Sequence, residues 1–323
     1  MEMTAGVQHT ALRVSDSISE SIIGHLSKGW HSMKLTTVGV KNSDAWFTPI
    51  YQNTYTGGMV TSGDSVRGNF SGGIFGIDVT EPDVFGVLGN WTIGYSVNAG
   101  GGSSKAHGTV TSVKDKHYFG GANIYGGWNM KNLNIIAGAG IQFGSHEVQV
   151  GLPASMEMGT LKGTADTLAV TADARAEYNI NTRAVSITPH IDMRYTALNT
   201  SSWKLKSGGE VVKFASDTNH VVQFGVGSAF SRSFMAGGWV LKPLVDLAYT
   251  PAISDNKAKT SMHFSGLNSS DSVSSRFIDR HSFTGKLNFT AGKDPFEIGI
   301  GYGIRASQHE MDHSLNANFV WKF

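Results

Sequence analysis

The last ten residues, SLNANFVWKF, alternate between apolar and polar side chains. The apolar face carries Leu315, Ala317, Phe319, Trp321 and Phe323, and the polar face carries Asn316, Asn318 and Lys322. A period of two indicates a strand with one apolar and one polar face. A large aromatic residue at the end of such a strand is typical of a segment that finishes at a membrane interface, where aromatic girdles lie. The same alternation recurs along most of the chain.

Composition excludes several classes of protein. No run of apolar residues approaches the 18 to 20 that a membrane-spanning helix needs. The net charge is +1 with both signs mixed along the chain, which gives no indication of a nucleic-acid surface. The chain has 0 cysteines, which suits passage through an oxidising compartment. The N-terminal residues are too polar for a signal peptide, so we expect the chain to be a fragment whose signal peptide lies upstream.

Twelve alternating segments follow residue 43. They lie near 44–55, 67–79, 88–99, 116–128, 132–146, 166–179, 184–199, 218–231, 238–251, 279–291, 294–306 and 312–323. Short polar turns (around MKN, NINTR and AGKD) alternate with longer connections, of which 147–165 and 252–278 are the longest. Tight turns at one end and long loops at the other are typical of an outer-membrane β-barrel.

A soluble antiparallel sandwich also alternates, but its strands are usually about five to six residues long. The segments here are long enough to cross a bilayer when tilted. Opposite charges also crowd the polar faces of neighbouring segments, which suits a narrow polar lumen where strands satisfy one another. The sequence therefore predicts an all-β fold, a twelve-stranded antiparallel transmembrane β-barrel over residues 44–323, closed by pairing of the last strand with the first near Trp46 and Tyr51.

Residues 1–27 have helical spacing instead. Apolar side chains recur at steps of three or four, at Val7, Ala11, Val14, Ile18, Ile22 and Leu26. The other side carries Arg13, Asp16 and Glu20, with Arg13 and Asp16 close enough to pair. The helix is too polar to face lipid, so we expect it inside the lumen, joined to the barrel by a linker at 28–43. Packing on a further domain, or on a membrane surface, is the alternative.

With helix, linker and twelve strands assigned, the chain resembles the translocator domain of monomeric autotransporters, the type V secretion proteins. The resemblance lies in FSGGIFGIDV before NWTIGYSVNAG, in VVQFGVGSAFSRSF before WVLKPLVDLAYTPAISD, and in the closing IGIGYGIRASQHEMDHSLNANFVWKF. It implies a monomer in the outer membrane of a Gram-negative bacterium that supports export of an N-terminally fused passenger and anchors it. The helix then plugs the pore.

The resemblance also implies partners and site residues. Periplasmic chaperones and the outer-membrane assembly machinery would handle the chain, with Phe319, Trp321 and Phe323 as the assembly signal, and lipid and lipopolysaccharide would surround it. Family members that cut themselves inside the pore use an Asn in the helix, but residues 1–41 contain none, which leaves Asp16 as a weaker alternative.

The lumen is the candidate site. Its predicted polar residues are Asp173, Arg175, Glu177, His190, Asp192, Arg194, Asp246, Glu297, Arg305 and Lys322. We interpret them as ion pairs with each other and the helix, and expect no enzymatic activity, cofactor or metal. A passive pore, or a barrel protease or lipase, are the alternatives. His309–His313 spells HExxH, a zinc-protease pattern that needs a helix, but it falls in a predicted loop.

Overall fold

A computed structural model describes residues 2–27, 42–58, 65–107, 112–152, 159–253, 255–265 and 270–323. One helix, α1 (Glu2–Leu26), precedes the strands. The predicted linker 28–43 therefore lies, up to residue 41, outside the described residues.

Strand segments make up the rest of the described chain. They are β1 (Asn42–Gly57), β2 (Ser65–Pro82), β3 (Asn90–His107), β4 (Ser112–Met130), β5 (Leu133–Gly151), β6 (Thr160–Tyr178), β7 (Ile180–Asn181), β8 (Ser186–Thr200), β9 (Trp203–Ser207), β10 (Gly209–Phe214), β11 (Asp217–Ser231), β12 (Phe234–Ala236), β13 (Trp239–Pro251), β14 (Lys257–Phe264), β15 (Ser270–Arg276), β16 (His281–Lys293), β17 (Phe296–Ser307) and β18 (Glu310–Lys322). A 3-10 turn lies at Val84–Gly86.

Within the described residues, twelve long strands form a closed antiparallel barrel, which confirms the predicted fold class. They are β1 to β6, β8, β11, β13 and β16 to β18, and each pairs with the next. The last strand pairs with the first, with Trp46 opposite Val320 and Tyr51 opposite Leu315, as the sequence predicted. The Phe323 N–H donates to the Ser43 carbonyl at 2.9 Å, so pairing of the closing strands reaches the final residue.

The two ends of the barrel differ. We call one of them the turn end. There the long strands are joined by residues 83–89, 131–132, 179–185, 232–238 and 294–295. The other, the loop end, holds the connections 58–64, 108–111, 152–159, 201–216, 252–280 and 308–309. The expected alternation of turns and loops holds, except that 108–111 and 308–309 are also short.

The outer face carries a continuous apolar surface. Its exposed aliphatic side chains include Ile93, Ile124, Ile141, Ile191, Leu247, Leu287 and Ile300. Aromatic residues border this surface at the turn end (Trp91, Trp128, Trp239, Phe296, Trp321 and Phe323), and tyrosines border it at the loop end (Tyr55, Tyr118, Tyr195, Tyr249 and Tyr302). An apolar band between two aromatic girdles is the exterior of a transmembrane barrel.

The helix lies inside the lumen, parallel to the barrel wall. At 25 residues it is about 37 Å long. Its first turns contact loop-end residues, with Val7 packed in a cluster that includes Trp203. Its last residues contact the turn end, where Asn134 donates to the Leu26 carbonyl at 3.0 Å. Among the described residues, no helix has the length and apolar character of a transmembrane helix.

Two connections predicted as loops contain strands instead. The hairpin β9–β10 lies within 201–216 and the hairpin β14–β15 within 252–280, and β10 pairs with β14 across them. Buried apolar residues explain this sheet: Trp203 and Phe214 stack at 4.3 Å between ring centroids and pack on the inward-facing Val113 and Val148. The loop end of the lumen is therefore apolar, unlike the polar middle.

A buried aromatic cluster joins the helix to the wall at the turn end. The Trp46 ring stacks on His25 at 4.6 Å between centroids, and its Nε1 donates to the Tyr125 hydroxyl at 2.7 Å. Asp78 accepts hydrogen bonds from both His25 and Tyr125. Trp46 lies directly over Gly76 of the neighbouring strand, where an added Cβ would come within 2.3 Å of the indole ring.

We predict that Gly76→Ala destabilises the folded barrel by about 1–3 kcal/mol, because the methyl group displaces Trp46 and thereby His25. The temperature at which the folded barrel loses its distinct electrophoretic mobility measures this. Gly138→Ala is the control: this glycine also faces the lumen, but its Cβ would have only ordinary contacts at 3.6 Å or more. Equal effects of the two substitutions would contradict the prediction.

Candidate functional site

The interface between helix and wall carries a set of buried charges, here called the lumen ion network: Arg13, Asp16 and Glu20 of the helix with Arg194, Lys286, Arg305, Glu310 and Asp312 of the wall. Nearest the loop end, the Arg13 Nε donates to Glu310 at 2.5 Å, and a second guanidinium nitrogen also bonds this carboxylate. Asp312 lies 3.5 Å from the Arg13 Nε. One helix cation therefore faces two wall acids.

One turn along the helix the signs are reversed. Asp16 accepts hydrogen bonds from Arg13 at 2.9 Å, from Arg194 at 3.0 Å and from Arg305 at 3.0 Å. The predicted pairing of Arg13 with Asp16 is confirmed. Arg194 also donates to Asp173 on the neighbouring strand at 2.5 Å. Because the Asp16 carboxylate is buried, three guanidinium groups offset the cost of removing it from water.

The next helix turn repeats this arrangement. Glu20 pairs with Lys286 at 2.8 Å and with Arg305, and Arg194 lies 3.9 Å away. A shift of the helix by one turn, about 5.4 Å toward the turn end, would bring Arg13 to the two wall arginines. Such a like-charge contact in a confined lumen is strongly unfavourable. The order of charges therefore sets the axial position of the helix.

A second group of predicted residues forms a network within the wall. Arg175 bonds Asp192, and His190 links two carboxylates, with its Nδ1 2.8 Å from Asp192 and its Nε2 2.9 Å from Asp246. Both ring nitrogens of His190 are thus occupied. Each of these carboxylates contacts a cationic or imidazole partner on its own strand or on a nearby one, an arrangement that suits a structural role.

The remaining predicted lumen residues lie at the turn end. Glu177 accepts hydrogen bonds from Ser27 at 2.7 Å and from Asn134 at 2.8 Å, close to the end of the helix. Glu297 is buried on the inner face of β17, and Lys322 lies opposite Asp44 across the closing strands. The structure therefore brings Glu177 to the helix end and places Glu297 and Lys322 on the wall.

Polar cavities flank the helix. One of about 50 Å³ lies beside Asp16, Glu20 and Lys286, and another of about 70 Å³ lies beside Glu20, Asp173 and Arg175. The helix thus occupies the lumen without filling it.

Sequence reasoning missed three members of the lumen ion network: Lys286, Glu310 and Asp312. A signal for each was present in the alternation. Lys286 lies two residues from Thr284 and Asn288 on the inward face, and Glu310 and Asp312 extend the polar face of the closing strand beyond Ser314. Both acids were instead assigned to the HExxH pattern, and the closing strand was expected to begin only at residue 312.

The HExxH segment does not have the geometry of a zinc site, because β18 begins at Glu310. On a strand, Glu310 points inward to Arg13, while His313 points outward and bonds Tyr302. His309 lies in the turn before the strand and binds Asp279, through its Nδ1 at 2.8 Å and its backbone N–H at 2.7 Å. The two histidines and the glutamate therefore do not converge.

The fold and its lumen define a class: an outer-membrane β-barrel with an internal helix. The family model described as "Autotransporter beta-domain" matches residues 45–303, so the chain belongs to this family. A search of curated proteins finds no match.

Solved structures agree on the fold. The translocator domain of the autotransporter NalP from Neisseria meningitidis aligns with a TM-score of 0.62 at 12% identity, over 98% of this chain and 99% of that one. The beta domain of the Bordetella autotransporter BrkA gives 0.63 at 12% identity, over 87% of this chain and 100% of that one. The transport unit of AIDA-I from Escherichia coli gives 0.63 at 13% identity, over 86% and 89%.

The chain is thus an autotransporter translocator domain that supports export of an N-terminally fused passenger across the Gram-negative outer membrane. The loop end faces the cell exterior and the turn end faces the periplasm. The helix therefore runs from its N-terminus at the cell surface to its C-terminus on the periplasmic side. This direction suits a chain whose upstream part lies outside.

We predict that Asp16→Asn weakens attachment of the helix by about 3 kcal/mol, because three buried guanidinium groups lose their common counter-ion. Hydrogen–deuterium exchange of peptides covering residues 2–27 should rise sharply, while exchange of the barrel strands stays the same. Ser17→Ala, at the adjacent position beside the same cavity, is the control. Unchanged exchange in Asp16→Asn would show that apolar packing alone holds the helix.

A second prediction concerns pH at the extracellular end. Although burial raises the pKa of Asp279, hydrogen bonds from His309 and Ser307 outweigh it and hold the pKa below the usual value of 3.8. A carboxyl whose pKa is lowered on folding stabilises the fold above its unfolded pKa, and this contribution is lost as the pH falls through the folded value. Wild type should therefore unfold at a higher temperature than Asp279→Ala at pH 7, and the difference should shrink below about pH 4. A pH-independent difference would contradict this.

Proposed function

We propose that the lumen ion network holds the helix as a plug and tether once the passenger has passed through the barrel. On this proposal the chain divides into a plug helix at 1–27, a linker at 28–43 and the barrel at 44–323. The reversal of charge along the helix carries the proposal: one cation facing acids is followed by two acids facing cations. Such an order favours one resting position over a sliding helix.

Space in the lumen supports the same proposal. A helix with its side chains is about 10–12 Å across. The lumen holds one helix with the two flanking polar cavities, so no folded passenger domain fits beside it. Export would therefore precede docking of the helix, with the passenger in an extended or locally folded form. A permanently open diffusion pore is the less favoured alternative, because the helix occupies the lumen.

We also propose that the barrel has no enzymatic activity of its own. Three lumen carboxylates with the chemistry of a base or nucleophile, Asp16, Asp192 and Asp246, each accept hydrogen bonds from a cation or an imidazole. Asp16 in particular is shared by three arginines, which makes it a poor nucleophile for cleavage of the helix. A catalytic group needs a reactive atom left accessible to substrate.

For assembly, we propose that the outer-membrane machinery and periplasmic chaperones read Phe319, Trp321 and Phe323. All three are exposed on the outer face, and the rings of Trp321 and Phe323 lie 5.4 Å apart. The folded domain is a monomer in lipid. Lipopolysaccharide would contact the tyrosine girdle at the loop end. There the tyrosines pair with cationic or imidazole groups, as Tyr55 does with Arg67 and Tyr195 with His220.

Conductance in planar bilayers tests the plug. We predict a small, steady conductance for the whole chain and a large one after deletion of residues 2–27. Substitution of Asp16 and Glu20 together by their amides should give intermittent opening, because the helix remains but its ion pairs do not. Equal, large conductance with and without the helix would favour the passive pore and contradict the plug.

Removal of Phe323 tests the assembly signal. We predict that Phe323→Ala lowers the amount of folded barrel in cells severalfold. Phe296→Ala is the matched control, since Phe296 is similarly exposed on the outer face at the same end of the neighbouring strand. If both substitutions lower assembly equally, the aromatic girdle rather than a signal explains the effect. In vitro refolding should then be equally impaired in both.

A further inference from the structure

A second cluster of titratable side chains lies in the lumen, apart from the lumen ion network. Asp115 and His117 of β4 and His146 of β5 are all at least nine-tenths buried. One potential ligand atom from each lies within 4.8 Å of the other two. The His146 Nδ1 is 2.9 Å from the Asp115 Oδ2, and the His117 Nδ1 is 3.5 Å from the same oxygen. Two imidazoles and a carboxylate therefore converge on one point.

The backbone register produces this convergence. His117 lies directly opposite His146 in the antiparallel pair, and Asp115 is two residues along the same strand and so on the same face. Directly opposed residues have Cβ atoms about 4.5–5.5 Å apart. The two rings are stacked, with centroids 5.4 Å apart and planes 30° apart. Three donors on adjacent strands of a closed barrel are held more rigidly than donors on loops.

The hydrogen-bonding capacity of this cluster is not used up. Among the side chains that the structure describes, the Nε2 of His117 has no hydrogen-bond partner and its Nδ1 has only the 3.5 Å approach to Asp115, although this histidine is only 2% exposed. The Asp115 Oδ1 is also without one. Buried polar atoms are nearly always satisfied, so several orphaned atoms at one point call for a ligand. In His190, by contrast, both ring nitrogens bond carboxylates.

We propose that Asp115, His117 and His146 bind a divalent first-row transition metal, with Zn²⁺ as the favoured ion. Imidazole and carboxylate are ligands that zinc accepts at about 2.0–2.2 Å, and neighbouring ligands of a tetrahedral ion at that radius are about 3.3 Å apart. The two distances from a histidine Nδ1 to the Asp115 Oδ2, 2.9 Å for His146 and 3.5 Å for His117, lie on either side of this spacing. Small movements of the rings would complete the site. Ca²⁺ and Mg²⁺ fit poorly, because they prefer six or more oxygen ligands.

The site would hold three protein ligands and leave one position to water. A small cavity of about 10 Å³ reaches His117 and His146 and is bordered by Thr10 and Val14 of the helix. A larger one, of about 40 Å³, reaches His117 from the side of His9 and Arg276, near the extracellular end. These cavities leave room for the open coordination position. The bound ion would cross-link β4 and β5 beside the docked helix.

Titration of the whole chain tests the proposal. The folded protein in detergent, freed of metal by a chelator, is titrated with Zn²⁺ against a chromophoric competitor and, separately, with Co²⁺. We expect one tight ion per chain and the intense visible absorption of four-coordinate Co²⁺. Asp115→Asn, His117→Gln and His146→Gln should each weaken Zn²⁺ binding at least about 100-fold, since loss of an outer-shell partner alone costs about 10–100-fold.

His220→Gln is the matched control, because this histidine lies on the outer face and bonds Tyr195 instead. It should leave the tight site unchanged. Retained electrophoretic mobility of the folded barrel shows that each variant has folded. Should a ligand variant not fold, the wild type alone decides: Zn²⁺ must raise its unfolding temperature, and X-ray absorption must show two imidazoles at about 2.0–2.1 Å. No tight ion in the wild type, or equal loss in His220→Gln, would overturn the proposal.

Discussion

The structure depends on one constraint: a backbone N–H or C=O group in the hydrocarbon of a bilayer must find its partner within the protein. An open sheet leaves two edges of unpaired groups in lipid, at a cost of several kcal/mol for each group. Pairing of the first strand with the last removes both edges, and here it extends from Thr56 opposite Glu310 to the final residue. Closure also creates a lumen, and the polar groups inside it must find their partners within the protein.

Side chains that face the lumen must likewise find their partners within the protein. Inward-facing positions are screened from lipid by the wall and from bulk water by the helix, so each charge needs a counter-charge nearby. The helix meets this need with Arg13 against acids, and with Asp16 and Glu20 against cations. The same pairs that offset burial also define where the helix rests. On the proposed function, stability of the translocator and plugging of its pore use the same contacts, and the proposed metal site would meet the same requirement with a bound cation as the counter-charge.

Much of the fold was predictable, for a physical reason. A wall between lipid and a polar lumen imposes a period of two on every strand, so twelve segments, most of their ends within three residues, and the pairing of the closing strand near Trp46 and Tyr51 followed from local pattern. The errors arose where that environment changes. Above the bilayer the inward face becomes apolar, with Trp203, Phe214 and Val148 packed together, and the alternation there no longer indicates which side is the lumen.

The sequence by itself determined the class of fold, the faces of the strands and the presence of a polar helix, because each is a property of residues close together in the chain. Only the tertiary structure decided which charges meet. Arg13 and Glu310 are 297 residues apart, and Asp16 and Arg305 are 289 apart, so their pairing depends on strand order, barrel stagger and helix position together. The convergence of Asp115, His117 and His146 likewise depends on register across two strands, which no local pattern specifies.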